Sequence, residues 1–190
     1  HMHFAASAGQ AEAVRFAIEH GADPTVKREV DGLAPIHMAA HAGHADVVEV
    51  LMRKAKTSWK LKDGLGKSAL HIAASLGHTA VAAMLLGVRA QPLASQDKAG
   101  LRPLHWAAEE NQVDMVNLLL AGGGNLEATT KDGETVLHRV VMSGHVSMAG
   151  RLLDSRAQLE AKRSSGQTAV HTAAFLGHVG ILDLLRSHGA

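Results

Sequence analysis

Gly166-Gln167-Thr168-Ala169-Val170-His171-Thr172-Ala173-Ala174-Phe175-Leu176-Gly177-His178 carries two histidines seven residues apart, each with a glycine at a fixed distance before it. Stepping back from His171 by 33, 33, 34, 34 and 34 residues reaches His138, His105, His71, His37 and His3. Each is followed, two and three residues on, by a small or aliphatic pair: Ala5-Ala6, Ala39-Ala40, Ala73-Ala74, Ala107-Ala108, Val140-Val141 and Ala173-Ala174. Five residues ahead of the histidine stand Gly32, Gly66, Gly100, Gly133 and Gly166, and Gly43-His44, Gly77-His78, Gly144-His145 and Gly177-His178 end in the second histidine. Six units in one register are the mark of a stacked repeat array, in which each unit buries its neighbour's apolar face.

Local chemistry explains the pattern position by position. Ser68, Thr135 and Thr168 precede the register histidine by three residues and read as N-caps whose hydroxyls accept from free helix N–H groups. Pro35 and Pro103 suit a first turn, where the missing donor would be unpaired in any case. Ala34 and Arg102 lack the hydroxyl and leave only the proline. Gly43 and its counterparts predict left-handed helix ends, with Asn111 as the non-glycine substitute in the fourth unit. A second helix follows in each unit. Val47, Val48, Val50, Leu51 and Met52 form its stripe in the second unit, and Val113, Met115, Val116, Leu118, Leu119 and Leu120 in the fourth. Runs such as Lys131-Asp132-Gly133-Glu134 read as tight turns. The fifth unit departs from the rest: Val140 and Val141 enlarge the small pair while Ala149 and Gly150 shrink the second helix. Mutual size compensation and a locally weak repeat both fit.

Composition narrows the class further. The 190 residues are 46% hydrophobic and 19% charged, which suits a folded domain or a short array rather than a disordered chain. Only 3% are aromatic, so the core has to be built from Ala, Leu, Val and Met, favouring closely packed helices. No apolar run is long enough to span a membrane, and no secretory leader follows Met2. The absence of cysteine removes disulfides and thiolate sites and fits a reducing, intracellular setting, the cytoplasm first and the nucleus as well. A net charge of +1 excludes a globally basic nucleic-acid binder. His1 and Met2 read as a cloning remnant, and the abrupt start inside a helix suggests a piece cut from a longer parent.

The units resemble the ankyrin repeat, whose pattern is a glycine turn, Thr-Pro-Leu-His, two alanines, Gly-His, an apolar helix and Gly-Ala-Asp. Ala34-Pro35-Ile36-His37, Ser68-Ala69-Leu70-His71, Arg102-Pro103-Leu104-His105, Thr135-Val136-Leu137-His138 and Thr168-Ala169-Val170-His171 match its core, and Gly21-Ala22-Asp23 and Gly189-Ala190 its close. The resemblance covers the whole chain as one domain, 1–190, with repeats near 1–27, 28–61, 62–95, 96–128, 129–161 and 162–190. It implies an all-α ankyrin-repeat solenoid of helix-turn-helix units joined by β-hairpin-like turns. It also implies a non-catalytic protein–protein interaction module that needs no cofactor; the alternative is a substrate-recruiting or regulatory domain of a larger enzyme or channel.

Chemistry of other kinds finds little purchase. Of the 14 histidines, ten occupy the two repeat positions, which gives them structural work. His37, His41 and His44 have a spacing that zinc could use, yet no Glu follows His37 and two of the three are repeat positions, so no metal role is assigned. There is no nucleophile elbow, Walker loop or dinucleotide fingerprint, and Gly122-Gly123-Gly124 falls at a helix end.

In the ankyrin family, ligand contacts come from the turn tips and the inner side of the first helix. By register these are the residues seven, six and four before the histidine, and one, four and five after it. They give Leu33, Leu65, Lys67, Leu101 and Glu134 on the turns, and Met38, His41, Leu76, Trp106, Glu109, Glu110, Met142, Phe175 and Leu176 on the helices. The apolar members predict a contiguous exposed strip, with Trp106 and Ile72 as candidates for core packing instead. Charge is segregated too. Residues 53–67 hold six basic side chains against Asp63, a net of +5, and residues 109–134 hold six acids against Lys131, a net of −5. A partner with an acidic and a basic end would be oriented by two such zones. Trp59, among the lysines, is a candidate anchor. Nucleic acid is disfavoured, because one small basic zone offers no further aromatic platform.

Overall fold

The computed structural model describes residues 1–55, 58–87 and 92–189; Lys56 of the basic run and the terminal Ala190 lie outside these. Among the described residues twelve α-helices follow one another: α1 (Met2–Ser7), α2 (Ala11–Glu19), α3 (Pro35–Ala42), α4 (Ala45–Lys54), α5 (Ala69–Leu76), α6 (Thr79–Leu86), α7 (Pro103–Glu109), α8 (Val113–Ala121), α9 (Val136–Ser143), α10 (Val146–Asp154), α11 (Ala169–Leu176) and α12 (Val179–Ser187). Single 3₁₀ turns form at Ser58–Lys60 and Pro92–Ala94, and no strand forms among the described residues. The fold is therefore all-α, as expected.

Two helix layers run along the stack. The first helices of successive units pack α1 on α3, α3 on α5, α5 on α7, α7 on α9 and α9 on α11, and the second helices make a parallel row beside them. The small pairs allow the first row to close up: Ala39, Ala40, Ala73, Ala74, Ala107 and Ala108 are fully buried. Larger side chains fill the space between the rows, among them Ile36, Leu51, Leu70, Leu85, Met115, Leu119, Leu137, Met148, Leu152 and Ile181. Met2 starts α1 and is buried, so this residue belongs to the fold whatever its origin. In the fifth unit Val140, Val141 and Ala149 are all fully buried, which favours size compensation. Even so, α8 and α10 are the second-row neighbours that touch least.

The histidines lock the stack. In five units the ring Nδ1 accepts from the backbone N–H of the residue three before it, as in Ser68 to His71 at 3.1 Å and Thr135 to His138 at 3.2 Å. The Nε2 of the first five register histidines faces a carbonyl in the arm that leads into the following unit, for instance Leu101 O from His71 and Ala128 O from His105, both at 3.0 Å. The hydroxyls of Ser68, Thr135 and Thr168 meet the same Nδ1 at 2.8 Å and make no cap bond to the helix amides. That corrects the capping expectation, and the reason is competition: the imidazole three residues on lies within hydrogen-bond reach of the hydroxyl in all three units, buried at His71 and His138 and exposed at His171. The second histidines tie the rows together. His44, His78 and His145 each reach with Nε2 a carbonyl near the end of the preceding unit's first helix, and Gln112 does the same in the fourth unit.

Turn tips stack with equal regularity. Gly64, Lys98, Lys131 and Ser164 each donate a backbone N–H to the tip carbonyl of the preceding turn, at Asp31, Leu65, Ala99 and Asp132. Gly100 shows why the position is glycine: its φ is +86°, and an added Cβ would sit 2.7 Å from the Lys131 nitrogen. The same clash recurs at Gly32, Gly66 and Gly133. Asn111, at φ +56°, ends α7 in the left-handed region as the sequence predicts.

Candidate functional site

The turns meet the first helices side chain to side chain. Trp106 of α7 is half-buried, with Nε1 donating to Asp97 Oδ2 at 3.0 Å and the Lys67 ammonium 3.4 Å from the ring centre. Asp97 is itself fixed, because its Oδ1 accepts from the backbone of Ala99 and Leu101. One face of the indole is thus covered by a cation from the preceding turn, a favourable contact for a partly desolvated pair.

Towards the C-terminus a charge cluster joins the fourth, fifth and sixth units. Arg139 makes a forked pair with Glu109, its Nε 3.1 Å from Oε2, and its Nη1 lies 3.1 Å from Glu134 Oε2. Burial works against the Arg139 charge, but the Glu109 and Glu134 contacts outweigh it and push its pKa up. Arg163 approaches the other Glu134 oxygen at 3.7 Å. The acidic zone is therefore not a free negative surface: Glu134 is only 7% exposed and, with Glu109, is largely neutralised, leaving Glu110, Asp114 and Asp132 open to solvent.

The basic zone divides as well. Arg53 pairs with Glu49 and Lys54 with Glu19 on the second helices, Lys62 donates to Gln96 O in the next arm, and Lys67 covers Trp106. These side chains serve separate partners instead of forming one patch. Trp59 folds back, half-buried against the core, with Lys60 above its ring.

The predicted apolar strip breaks in the middle. Leu65 is 63% exposed and Leu76, Met142, Phe175 and Leu176 are also open. Leu101, by contrast, is only 6% exposed, and Leu33 and Met38 pack against the core. Asp63 and Asp97 brace their turns with the same pair of backbone bonds; Leu65 stands at an exposed tip, whereas Leu101, four residues after Asp97, packs inward. Ile72 is core, as weighed above, and His41 is exposed with its carbonyl used by His78. His37, the first member of the zinc-like spacing, has both ring nitrogens committed to backbone groups. Among the described residues no group of three or more histidines and acids is placed to hold a metal ion.

Two contributors escaped the register positions. Asp97 and Arg163 both stand eight residues before a register histidine, outside the positions read for contacts. Asp63, Asp97 and Thr130 at that place each bind their own turn's backbone, and this recurrence was the available signal.

The whole chain is matched by a family model described as "Ankyrin repeats (3 copies)", over residues 2–97, 56–130 and 104–190. Among solved structures, the ankyrin repeat domain of Bcl-3, described as a unique member of the IkappaB protein family, superposes with a TM-score of 0.88 at 26% identity. That match covers 100% of this chain and 86% of the other. No curated protein matches the chain. No helix among the described residues is long and apolar enough to cross a membrane.

Proposed function

This chain belongs to the ankyrin repeat family, and on that premise we propose that it is a non-catalytic interaction module that grips a peptide or folded protein in the groove between its turns and first helices. Ankyrin repeats generally mediate protein–protein interaction, and the match to the Bcl-3 domain supports a role of that kind. The observation that carries the reading is where the groove leaves large apolar side chains uncovered. Leu65 and Leu76 stand open on the third unit and Met142, Phe175 and Leu176 on the fifth and sixth, with Trp106 and Glu110 of the fourth between them. Such exposure costs solubility without helping the fold, and clustered apolar surface of this sort marks interaction sites. The stack is held by its own hydrogen bonds, so a partner meets a preorganised wall and pays little ordering cost. We place the module inside the cell, consistent with a chain that contains no cysteine.

Selection of ligands from a random-peptide display library tests this. Binders are expected, and Leu65→Asp with Phe175→Asp should weaken them at least tenfold while far-UV circular dichroism stays unchanged, because both side chains lie outside the core. Binders indifferent to both substitutions would place recognition elsewhere.

A further inference from the structure

Between the fifth and sixth units, Met142 of α9 and Phe175 and Leu176 of α11 wall a hollow of about 260 Å³, completed by Thr172, Gln167 and Arg163. Arg163 is its single charged lining residue, and that guanidinium is under-used. Its Nη1 lies 4.0 Å from Met142 Sδ and 3.7 Å from Glu134 Oε1, the latter beyond hydrogen-bond reach, and its Nε is buried without a partner among the described residues. Glu134 is already served at 3.1 Å by Arg139, so Arg163 gains little from it. Its one carboxylate neighbour is thus distant and shared with Arg139, and a planar fork of five donors has room to bind a second carboxylate directly.

Resting on the groove reading above, we propose that this hollow takes a peptide segment in which one apolar side chain is accompanied, within two residues, by Asp or Glu. The apolar side chain packs against Phe175, Leu176 and Met142, and the carboxylate meets Arg163. Charge favours one direction: Glu110 is exposed on the fourth unit and disfavours an acid placed there, whereas Arg163 draws the acidic end of the peptide to this hollow. An apolar wall of this size gives a nucleic acid's phosphates nothing, so the peptide is the occupant.

The test uses the full chain with labelled methionine and leucine methyls and tryptophan indole N–H groups, and four capped heptapeptides. The parent is Ala-Ala-Leu-Ala-Glu-Ala-Ala; in the others Glu becomes Gln, Glu becomes Lys, or Leu becomes Ala. The Glu peptide should shift the Met142 methyl and bind about three- to fivefold more tightly than the Gln peptide, the range of an exposed ion pair. Arg163→Gln should erase that preference without changing the affinity for the Gln peptide. Arg163→Lys, which keeps the charge, should retain part of it. Equal binding of the Glu and Lys peptides, or a preference that survives Arg163→Gln, overturns the acid recognition while leaving the groove intact. Leucine peptides that move Leu76 or Trp106 but never Met142 overturn the hollow as a subsite. Concentration-dependent broadening at Met142 in the free chain would make a second copy the occupant. Failure of display-selected binders to touch the groove at all would instead defeat the underlying function.

Discussion

A neutral imidazole that accepts at Nδ1 and donates at Nε2 has no way to take a proton without losing its acceptor. His71 and His105 are in that position, and burial pushes both pKa values down to about 4, against the partial support of carbonyls at Leu101 and Ala128. Burial lowers His37 and His138 in the same direction. The unfolded chain, with histidines near their ordinary value of about 6.5, therefore binds protons first as the pH falls. Stability contributed by these rings is complete above about pH 6.5 and drains away towards pH 4. Urea titrations from pH 7.5 to 4.5 should show a steep loss in the natural chain. Replacing His71 and His105 together by Asn should lower stability at pH 7.5, by about 2–4 kcal/mol for lost buried hydrogen bonds, and flatten the decline. An unchanged slope would mean that acidic groups elsewhere control it. At this scale the sequence was legible where position repeats and opaque where a side chain chooses among neighbours. The register showed which histidines are structural. It could not show that Leu101 packs inward or that Glu134 is taken by Arg139, because the first is settled by packing and the second by an arginine that Glu109, 30 residues away, holds in place.

Turns and helices carry opposite lessons about glycine. Gly100→Ala places a Cβ 2.7 Å from a backbone nitrogen of the next turn in a left-handed residue, and stability should fall by about 1–3 kcal/mol. Gly150 lies inside α10 with only Leu184 near its missing Cβ, at 3.8 Å, an ordinary contact. Gly150→Ala should therefore raise stability by about 0.5–1 kcal/mol through helix propensity alone. Chemical denaturation of both variants checks the pair, and a loss at Gly150 would show that α10 needs its present looseness against α8. The sequence marked this unit as aberrant because Val140 and Val141 break the alanine pattern. It left compensation and weakness unresolved, since only packing reveals that Val140, Val141 and Ala149 fill their space while the second row thins at α8 and α10.

Over the whole molecule, each unit contacts mainly its neighbours, so stability is a sum of local and adjacent terms and recognition is spread along one continuous wall. The fold could be read almost entirely from the chain because the same residue types recur at one period. The wall could be read only in part: exposure at Leu65, Leu76, Met142, Phe175 and Leu176 agrees with their register positions, whereas the charge zones dissolve into separate pairs once the units stack. Methyl and amide resonance mapping of the chain bound to a display-selected peptide tests groove recognition most directly. Perturbations should concentrate on Leu65, Leu76, Trp106, Met142, Phe175 and Leu176. Perturbations confined to the second helices α4, α6 and α8 would contradict it.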